Sequence, residues 1–171
     1  LNLSGHVSFI DIGFNKTSII CYFNDKVLSL DVLPIGGNHI TKDISKILEI
    51  DLERSEQVKR NFVQNPELLN GKDISIETLQ KIIFARTEEI LELCAKSIKS
   101  NLYIPAKFKM VLMGDGSKIL DNKHKDKISF SNNIDFLEEF SENICQSGFK
   151  LGMGLNKQEV VVVPKKHIKL G

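Results

Sequence analysis

The sequence predicts an α/β fold, and three features of its apolar pattern predict it. Near the start, three short apolar runs are joined by brief polar connections, which is typical of a β-meander. A long amphipathic segment in the middle predicts a helix. A later, almost wholly apolar stretch that ends in glycines predicts a strand buried on both faces. Strands, then helices, then a buried strand indicate an α/β arrangement.

Composition favours a globular chain without nucleic-acid partners. The 171 residues carry 23 Lys and Arg against 22 Asp and Glu, and a net charge of +1 provides no field that attracts nucleic acid. Because the chain has no Trp, a stacking platform for single-stranded nucleic acid is also disfavoured. A hydrophobic share of 42% excludes bulk disorder and is enough for one domain or two small lobes.

The first three strands are predicted over residues 7–12, 17–23 and 26–33, and Pro34 ends the third because it has no N–H for the ladder. Asn24-Asp25 marks the turn between the second and the third strand.

Helices fill the middle of the chain. Asn38 is the predicted N-cap of the first helix, whose apolar residues recur at helical spacing, and a second helix is predicted over 51–62. Residues 64–72 read as a loop or an irregular excursion. The clearest helix runs over 76–99 with a broad apolar stripe.

The last third of the chain is predicted to hold the buried strand, over 108–113, and a short helix from Ser117. An amphipathic helix is predicted over 134–146, and 160–163 is a β-branched apolar run. The basic end, 165–171, is predicted to be mobile.

The start of the chain and the pattern of its cysteines indicate the cellular compartment of the protein. The chain starts at Leu1 rather than Met, which predicts a piece of a longer protein or a processed product, and no leader or membrane-spanning run is recognised. Cys21, Cys94 and Cys145 form no CxxC pair, so they are predicted to be buried small hydrophobes in a reducing cytoplasm.

The turn after the first strand is a candidate anion site. Gly13 follows a buried strand and lets backbone approach a ligand, and Lys16 and the Thr17 hydroxyl offer further donors. Asp11 offers a carboxylate to a metal-bound water. The alternative is an ordinary hairpin turn.

The glycines at the start of the first helix are a second candidate. Gly36 and Gly37 precede a helix N-terminus, which favours anions or polar ligand edges, although a capped helix explains them equally well. His39 is predicted at the first helical position, exposed rather than bound to metal.

Two later motifs also carry candidate chemistry. Glu56 and Lys59 share one helix face, either as a surface ion pair or as part of a pocket. Gly114, Asp115 and Gly116 follow the buried strand in a strand–turn–helix arrangement that suits nucleotide contact, without the spacing of a P-loop.

Together and in this order, these motifs resemble the actin/hexokinase/heat-shock-chaperone ATPase superfamily, and most of all the second half of the FtsA family of bacterial cell-division proteins. The turn at 11–13 is similar to the start of the second phosphate loop, DIGGGTTD. Residues 33–44 are similar to the segment P-x-G-G-[ND]-x-[IV]-T-x-D-I, 56–59 to E-x-[IL]-K, and 111–116 to the adenosine motif.

The resemblance implies one half of an actin-like, ribonuclease H-like protein, with a five-stranded sheet flanked by helices. It implies a larger lobe (2A) over 1–37 and 102–163 and an inserted smaller lobe (2B) over 38–101. Residues 164–171 would then be a basic linker towards a membrane-binding amphipathic helix.

The resemblance also implies ATP and Mg²⁺ as ligands. Asp11 is expected near the metal through water, Gly13 at phosphate, Glu56 and Lys59 at ribose and base, and Gly114 at adenine. The full implied nucleotide set is Asp11, Gly13, Asn15, Lys16, Gly36, Gly37, Asn38, Glu56, Lys59, Gly114, Asp115 and Gly116. Because one half cannot enclose a nucleotide, we expect weak or no ATP turnover by this chain alone.

Several residues depart from the family pattern. Phe14 and Asn15 stand where the family has glycines, and Lys16 stands where it has Thr. Phe14 brings a bulky side chain to backbone that meets phosphate. Met113 replaces a Thr, and Asp115 replaces the second Gly of the adenosine motif. We therefore expect weakened nucleotide binding.

The resemblance further implies a cell-division adaptor at the inner face of the cytoplasmic membrane, with the smaller lobe recruiting the tubulin-like protein FtsZ to the division ring. Self-association into filaments is expected, with membrane attachment through a later helix. The alternatives are a sugar or carboxylate kinase of the same superfamily, with the Asp11 carboxylate as its candidate catalytic base, or a pilus-assembly or rod-shape actin-like adaptor.

Overall fold

The computed structural model describes five stretches of the chain, and all of them lie in one compact unit, Leu1–Glu138. The described residues are 5–24, 26–69, 74–101, 109–120 and 134–136. The second unit, Glu139–Gly171, lies outside them, as do the predicted 160–163 run, the basic tail and Cys145.

Five strands form one mixed sheet, in the order β3-β2-β1-β4-β5. The pairs β1/β2 and β2/β3 are antiparallel, whereas β1/β4 and β4/β5 are parallel. The meander and the five-stranded sheet are thus confirmed. The strands are β1 (His6–Ile12), β2 (Thr17–Phe23), β3 (Lys26–Leu33), β4 (Lys109–Met113) and β5 (Ile134–Phe136).

The centre of the sheet is β1, and its register places branched apolar residues side by side. Ile10 lies opposite Ile19 of β2 and opposite Leu112 of β4, and all three side chains are buried. Three consecutive residues of β4, from Met110 to Leu112, are buried, so this strand is covered on both faces as predicted.

The predicted helix over 134–146 is wrong where the structure describes it. Ile134–Phe136 is strand β5, which pairs with β4 in parallel register, Met110 opposite Ile134 and Leu112 opposite Phe136. A short apolar run fits a helix face and a strand equally well, and pairing with an existing strand edge decides between them. Residues 137–146 lie outside the described residues.

Three α-helices follow the meander. They are α1 (Gly37–Leu48), α2 (Leu52–Gln64) and α3 (Ile76–Asn101), with a 3₁₀ helix at Pro66–Leu69 in the predicted irregular segment. A second 3₁₀ helix, Asp115–Ile119, begins two residues before the predicted short helix.

The N-cap of α1 differs from the prediction. Gly36, in extended conformation, is the N-cap, and Asn38 is already the second helical residue. His39 is therefore the third helical residue rather than the first, and its Nδ1 accepts a hydrogen bond from the Gly36 N–H at 3.2 Å. The His39 side chain thus takes the place of the Glu or Gln of a capping box, whose side chain at the third helical position accepts from the N-cap N–H.

Helix α3 packs against β2 and β3 of the sheet and against the other helices. Arg86 of α3 donates to both oxygens of Asp43 of α1, at 2.5 and 3.0 Å, a two-pronged pairing that fixes the two helices together. Phe84 of α3 meets Phe62 of α2 edge to face. The predicted stripe of α3 is buried except at Leu93, which is 37% exposed. The buried members are Leu79, Ile82, Ile83, Ile90, Leu91, Cys94 and Ile98.

The cysteine prediction is confirmed for the two cysteines that the structure describes. Cys21 and Cys94 are buried and free. Burial raises the pKa of the Cys94 thiol to about 12, with the negative charge of Asp31 adding to the shift. Such a thiol behaves as a small core residue.

In the stretches that the structure describes, no helix is both long enough and apolar enough to cross a membrane. The division into a larger and an inserted smaller lobe stays a prediction.

Candidate functional site

The turn between β1 and β2 is fastened to the start of α1. The Gly37 N–H donates to the Gly13 carbonyl at 3.0 Å, and the Asn38 N–H donates to the Phe14 carbonyl at 2.7 Å. A Cβ on Gly36 would lie 2.5 Å from the Gly13 oxygen and 2.8 Å from the Phe14 oxygen, so only glycine allows this approach. The two segments that the sequence singled out separately thus form one unit.

The donors of this turn are partly used within the protein. The Gly13 N–H donates to the Lys16 carbonyl at 2.9 Å, and the Asn38 side chain donates to Asn15 Oδ1 at 3.0 Å. The expectation that the Thr17 hydroxyl serves an anion is wrong, because it is fully buried and donates to the Ile35 carbonyl at 2.7 Å.

Two glycines bring the turn after β4 close to the end of β1. Gly114 has φ +84°, a left-handed conformation, and a Cβ there would overlap the Asp11 carboxylate. A Cβ on Gly116 would lie 2.6 Å from the Ile12 carbonyl oxygen. The turns after two neighbouring parallel strands therefore meet at the carboxyl ends of these strands, where α/β sheets bind ligands.

Lys59 of α2 is buried and has three hydrogen-bond partners. Its ammonium group donates to the Gly37 carbonyl at 3.0 Å, to the Thr41 hydroxyl at 2.7 Å and to Glu56 Oε2 at 2.6 Å. The Thr41 hydroxyl donates in turn to Glu56 Oε2 at 2.5 Å, and Arg60 Nε donates to Glu56 Oε1 at 3.1 Å. The predicted pair is thus a buried link between α1 and α2 rather than a surface ion pair.

Burial and the charges of this link together shift the pKa values of Glu56 and Lys59. Burial alone raises the pKa of the Glu56 carboxyl, but hydrogen bonds from Lys59, Thr41 and Arg60 together hold it below its usual value. Burial lowers the pKa of the Lys59 ammonium, and the Glu56 carboxylate opposes this shift without cancelling it. The two charged groups lie 2.6 Å apart, so each favours the charged form of the other and their titrations are coupled.

A cavity of about 580 Å³ lies beside these elements. Half of the predicted nucleotide residues line it. The walls are formed by Gly13, Phe14, Gly37, Glu56, Lys59, Arg60, Val63, Gln64, Asp115, Gly116, Lys118 and Ile119. Its size lies within the range of about 300–1,000 Å³ that small-molecule sites occupy.

The other predicted residues do not line the cavity. They support the turns whose backbone forms the wall, through the contacts of Gly36, Gly114 and Asn38 described above. The residues in this position are Asp11, Asn15, Lys16, Gly36, Asn38 and Gly114.

Sequence reasoning missed part of the wall. Arg60 follows Lys59 directly, and Lys118 lies three residues after Asp115, with which it forms an ion pair at 2.5 Å. Because both cations lie within a few residues of the motifs at 56–59 and 111–116, this closeness in sequence is the signal that could have identified them. No sequence motif indicates the other wall residues, because their place in the wall depends on how the elements pack. These residues are Val63, Gln64 and Ile119.

The wall suits a ligand with an anionic part and an apolar part. Three cations, Lys59, Arg60 and Lys118, face two carboxylates in it. In the described part of the chain, no group of three or more His, Cys, Asp or Glu side chains could hold a metal ion. A single carboxylate such as Asp11 suits Mg²⁺ that keeps its waters and is otherwise held by phosphates.

A second, smaller hollow of about 300 Å³ lies on α2. It is lined by Asp51, Glu53, Arg54, Gln57, Val58 and Asn61, and none of these residues belongs to the predicted site.

The sequence of the chain is similar to a protein family and to several of its members. A family model described as FtsA, cell division protein FtsA, matches residues 8–160. The chain is 34% identical over 109 residues to the cell division protein FtsA of Bacillus subtilis (strain 168), which covers 55% of this chain and 25% of that protein. It is 27% identical over 165 residues to the cell division protein FtsA of Buchnera aphidicola subsp. Schizaphis graminum, which covers 88% of this chain and 38% of that protein. The chain thus spans between 25% and 38% of the length of these relatives.

Solved structures share the fold. MreB5 of Spiroplasma citri bound to ADP superposes with a TM-score of 0.64 at 19% identity, over 88% of this chain and 54% of that one. The PilM-PilN type IV pilus biogenesis complex gives 0.57 at 19% identity, over 90% and 45%. Ta0583, an archaeal actin homolog, gives 0.56 at 15% identity, over 83% and 44%. At such identities the likeness shows the actin-like fold alone, as the sequence predicted.

Proposed function

Because the chain belongs to the FtsA family of cell division proteins, as its sequence predicted, we propose that it supplies one half of an ATP site in an actin-like cell-division protein. The observation that carries this proposal is the cavity at the carboxyl ends of β1 and β4, lined by half of the residues that the resemblance assigned to the nucleotide. ATP binding by the intact protein, rather than by this half alone, is the activity proposed.

In this proposal the chain contributes three kinds of contact. The cations Arg60 and Lys118 supply positive charge near the mouth of the cavity, where both side chains are well exposed. Gly116 and Gly37 let backbone approach the ligand. Asp11, beside Gly114, holds a water of the Mg²⁺ that accompanies ATP.

Lys59 and Glu56 hold this wall in place. Their hydrogen bonds tie α2 to the first turn of α1, and through Gly37 to the turn after β1. We propose that they orient the wall beside ribose and base, a role that buried, fully bonded side chains perform well.

The departures from the family pattern favour a binding site with slow turnover. Phe14 and Lys16 replace residues of the phosphate loop, and the Gly13 N–H is bonded to the Lys16 carbonyl. Asp115 brings a negative charge to the wall, which its ion pair with Lys118 offsets. We therefore propose that hydrolysis is weak in the intact protein and absent from this half alone.

A matched pair of substitutions on α2 tests the proposed site. Gln64 lines the cavity and is exposed, so Gln64→Trp fills the cavity without disturbing the core. Gln57 is equally exposed on the same helix but lines the other hollow. Calorimetric titration of the intact protein with Mg·ATP should give binding for the wild type and for Gln57→Trp, and strongly reduced binding for Gln64→Trp.

Two results contradict the proposal. One is an intact protein that binds no ATP at millimolar concentration. The other is equal affinity in the Gln64→Trp and Gln57→Trp proteins, since ATP would then lie outside this cavity.

The partners belong to the same proposal. We propose that the intact protein recruits FtsZ to the division ring through the helical segment 38–101, polymerises into filaments and attaches to the inner face of the cytoplasmic membrane through a helix beyond the basic end of this chain. The support is membership of the FtsA family. Cosedimentation of the intact protein with FtsZ filaments tests the first of these interactions, and failure to sediment together would contradict it.

A kinase or a pilus-assembly or rod-shape adaptor of the same fold is the other candidate. The actin-like structures are compatible with it but do not favour it, because their identity to this chain is below 20%. The family match favours the cell-division protein.

A further inference from the structure

The charged side chains of the cavity wall all belong to ion pairs within the protein. They are Glu56, Lys59, Arg60, Asp115 and Lys118, and they pair at 2.5 to 3.1 Å. The remaining polar side chain of the wall is that of Gln64, which is exposed and forms no hydrogen bond with any residue that the structure describes. Its amide therefore offers the cavity an acceptor oxygen and two N–H donors.

The backbone around Gln64 is held firmly by its neighbours. Gln64 is the last residue of α2, and the N–H of the next residue, Asn65, donates to the Asn61 carbonyl at 2.9 Å. Phe62 is buried, and Val63 packs against the hydrophobic core. The amide thus stands on a fixed backbone, so a ligand needs to order only this side chain.

The surroundings of this amide suit the far edge of a base. Val63 of α2 and Ile119 of the 3₁₀ helix after β4 line the same cavity and supply apolar surface for a flat ring. Gln64 lies five residues beyond Lys59 along α2, a rise of about 7.5 Å, which is comparable with the length of a purine. A base whose ribose lies beside Glu56 and Lys59 therefore reaches Gln64 with the edge opposite its sugar.

We propose that Gln64 determines which purine the site accepts, by pairing its amide with the 6-amino group and the N7 atom of adenine. The amide oxygen accepts from the amino group, and the amide N–H donates to N7, as Gln does when it reads adenine in DNA. Guanine presents two acceptors, O6 and N7, on this edge and leaves the amide oxygen without a donor. The inference rests on the proposed function and adds a specificity-determining residue to the same site.

Reversal of the preference between ATP and GTP tests this pairing in the intact protein. The wild type should bind ATP about tenfold or more tightly than GTP, the discrimination that one two-bond pairing supplies. A Lys side chain donates to O6 and N7 of guanine, so Gln64→Lys should bind GTP more tightly than ATP. Gln57→Lys is the matched control, because it adds the same charge at an exposed position of the same helix that lines the other hollow. It should keep the wild-type preference.

Two analogues of ATP locate the pairing on the base. 7-Deaza-ATP lacks the N7 acceptor, and inosine triphosphate carries an oxygen in place of the 6-amino group. The wild type should bind each of them about tenfold more weakly than ATP. Gln64→Ala, which removes the amide from an exposed position, should bind ATP and both analogues with similar affinity. Thermal denaturation of this variant should match the wild type, since a substitution at an exposed helix position has little effect on stability.

Each other outcome overturns the inference. If the wild type binds ATP and GTP equally, or if Gln64→Lys keeps the wild-type preference, this side chain does not read the base. If Gln57→Lys changes the preference as much as Gln64→Lys does, added charge rather than pairing is responsible. If the wild type binds 7-deaza-ATP as tightly as ATP, the amide does not pair with N7. In these cases ATP still binds and only this inference fails, whereas a wild type that binds no ATP contradicts the proposed function as well.

Discussion

Lys59 is the side chain on which the local structure of the site depends most. Its ammonium group joins a carbonyl of α1, the Thr41 hydroxyl and the Glu56 carboxylate, and the residue is only 7% exposed. Burying an ion pair of this kind contributes little net stability, but removing one member takes a close opposite charge away from the other.

We predict that Lys59→Met destabilises the chain, because the partly buried Glu56 carboxylate and the Gly37 carbonyl each lose one donor. The expected loss in the free energy of unfolding is about 2 kcal/mol, below the value for a fully buried pair because Glu56 retains some contact with water. Lys81→Met is the matched control, since Lys81 pairs with Glu77 at the surface. Guanidinium denaturation should show no measurable change for this control, and equal losses for both variants would contradict the account.

The lowered pKa of Glu56 predicts an acid-dependent contribution to stability. A carboxylate with a lowered pKa stabilises the folded chain above its ordinary pKa of about 4.3, and the contribution is lost as the pH falls through the lowered value. The free energy of unfolding, measured by denaturation at several pH values from 3 to 7, should therefore decrease less steeply with falling pH for Glu56→Gln than for the wild type.

The same variant has a predicted effect at alkaline pH. The pKa of Lys59 is already lowered by burial, and without Glu56 the main opposing influence is gone. Since the folded chain then releases this proton before the unfolded chain does, the stability of Glu56→Gln should begin to rise with pH earlier than that of the wild type. Parallel stability curves across the whole pH range would show that the two groups are not coupled.

Cys94 is predicted to be chemically inert in the folded chain. Its pKa is raised to about 12, so almost no thiolate exists at pH 8, and its side chain is fully buried. Iodoacetamide labelling followed by peptide mass spectrometry should modify Cys94 only in denaturant. Rapid labelling under native conditions would contradict its placement in the core.

At the scale of elements, the junction between the β1–β2 turn and α1 positions the backbone of the candidate site. Two hydrogen bonds, from Gly37 and Asn38 to the turn, hold these segments together across a gap that admits no side chain at Gly36. The sequence shows both segments but not their contact, since the glycine pair reads equally well as a simple helix start.

We predict that Gly36→Ala and Gly37→Ala differ sharply. A Cβ on Gly36 would lie 2.5 Å from a backbone oxygen, whereas a Cβ on Gly37 has its nearest neighbours at 3.7 Å. Gly36→Ala should lower the free energy of unfolding by about 1–3 kcal/mol, as overpacking does, while Gly37→Ala, at the first position of a helix, should be neutral or slightly stabilising. Thermal denaturation checks this, and similar melting temperatures for both variants would contradict the close approach.

The elements themselves could largely be predicted from the sequence. The meander, α2, α3 and β4 follow from apolar periodicity and from turn residues, which are local signals. The strand at Ile134–Phe136 could not, because a short apolar run becomes a strand only when β4 offers it an edge. The N-cap of α1 was misplaced because Gly36 has no side chain to signal it, and the acceptor is His39.

At the scale of the whole molecule, we propose that the chain forms one wall of the nucleotide site. The family motifs identified the turns and the Glu56–Lys59 pair, because these depend on short stretches of sequence. They did not identify Gln64 or Ile119, which reach the cavity only through the packing of α2 and of the 3₁₀ helix after β4. The chain also spans at most 38% of the length of the relatives described above, so the account of the intact protein is a proposal.

Photoaffinity labelling of the intact protein with 8-azido-ATP tests the central claim most directly, because it locates the base. The account predicts labelled peptides from 56–64 and 115–119, competed by ATP, lost in Gln64→Trp and retained in Gln57→Trp. Labelling that ATP does not compete, or that falls entirely outside these two segments, would contradict the assignment of this cavity as the nucleotide site.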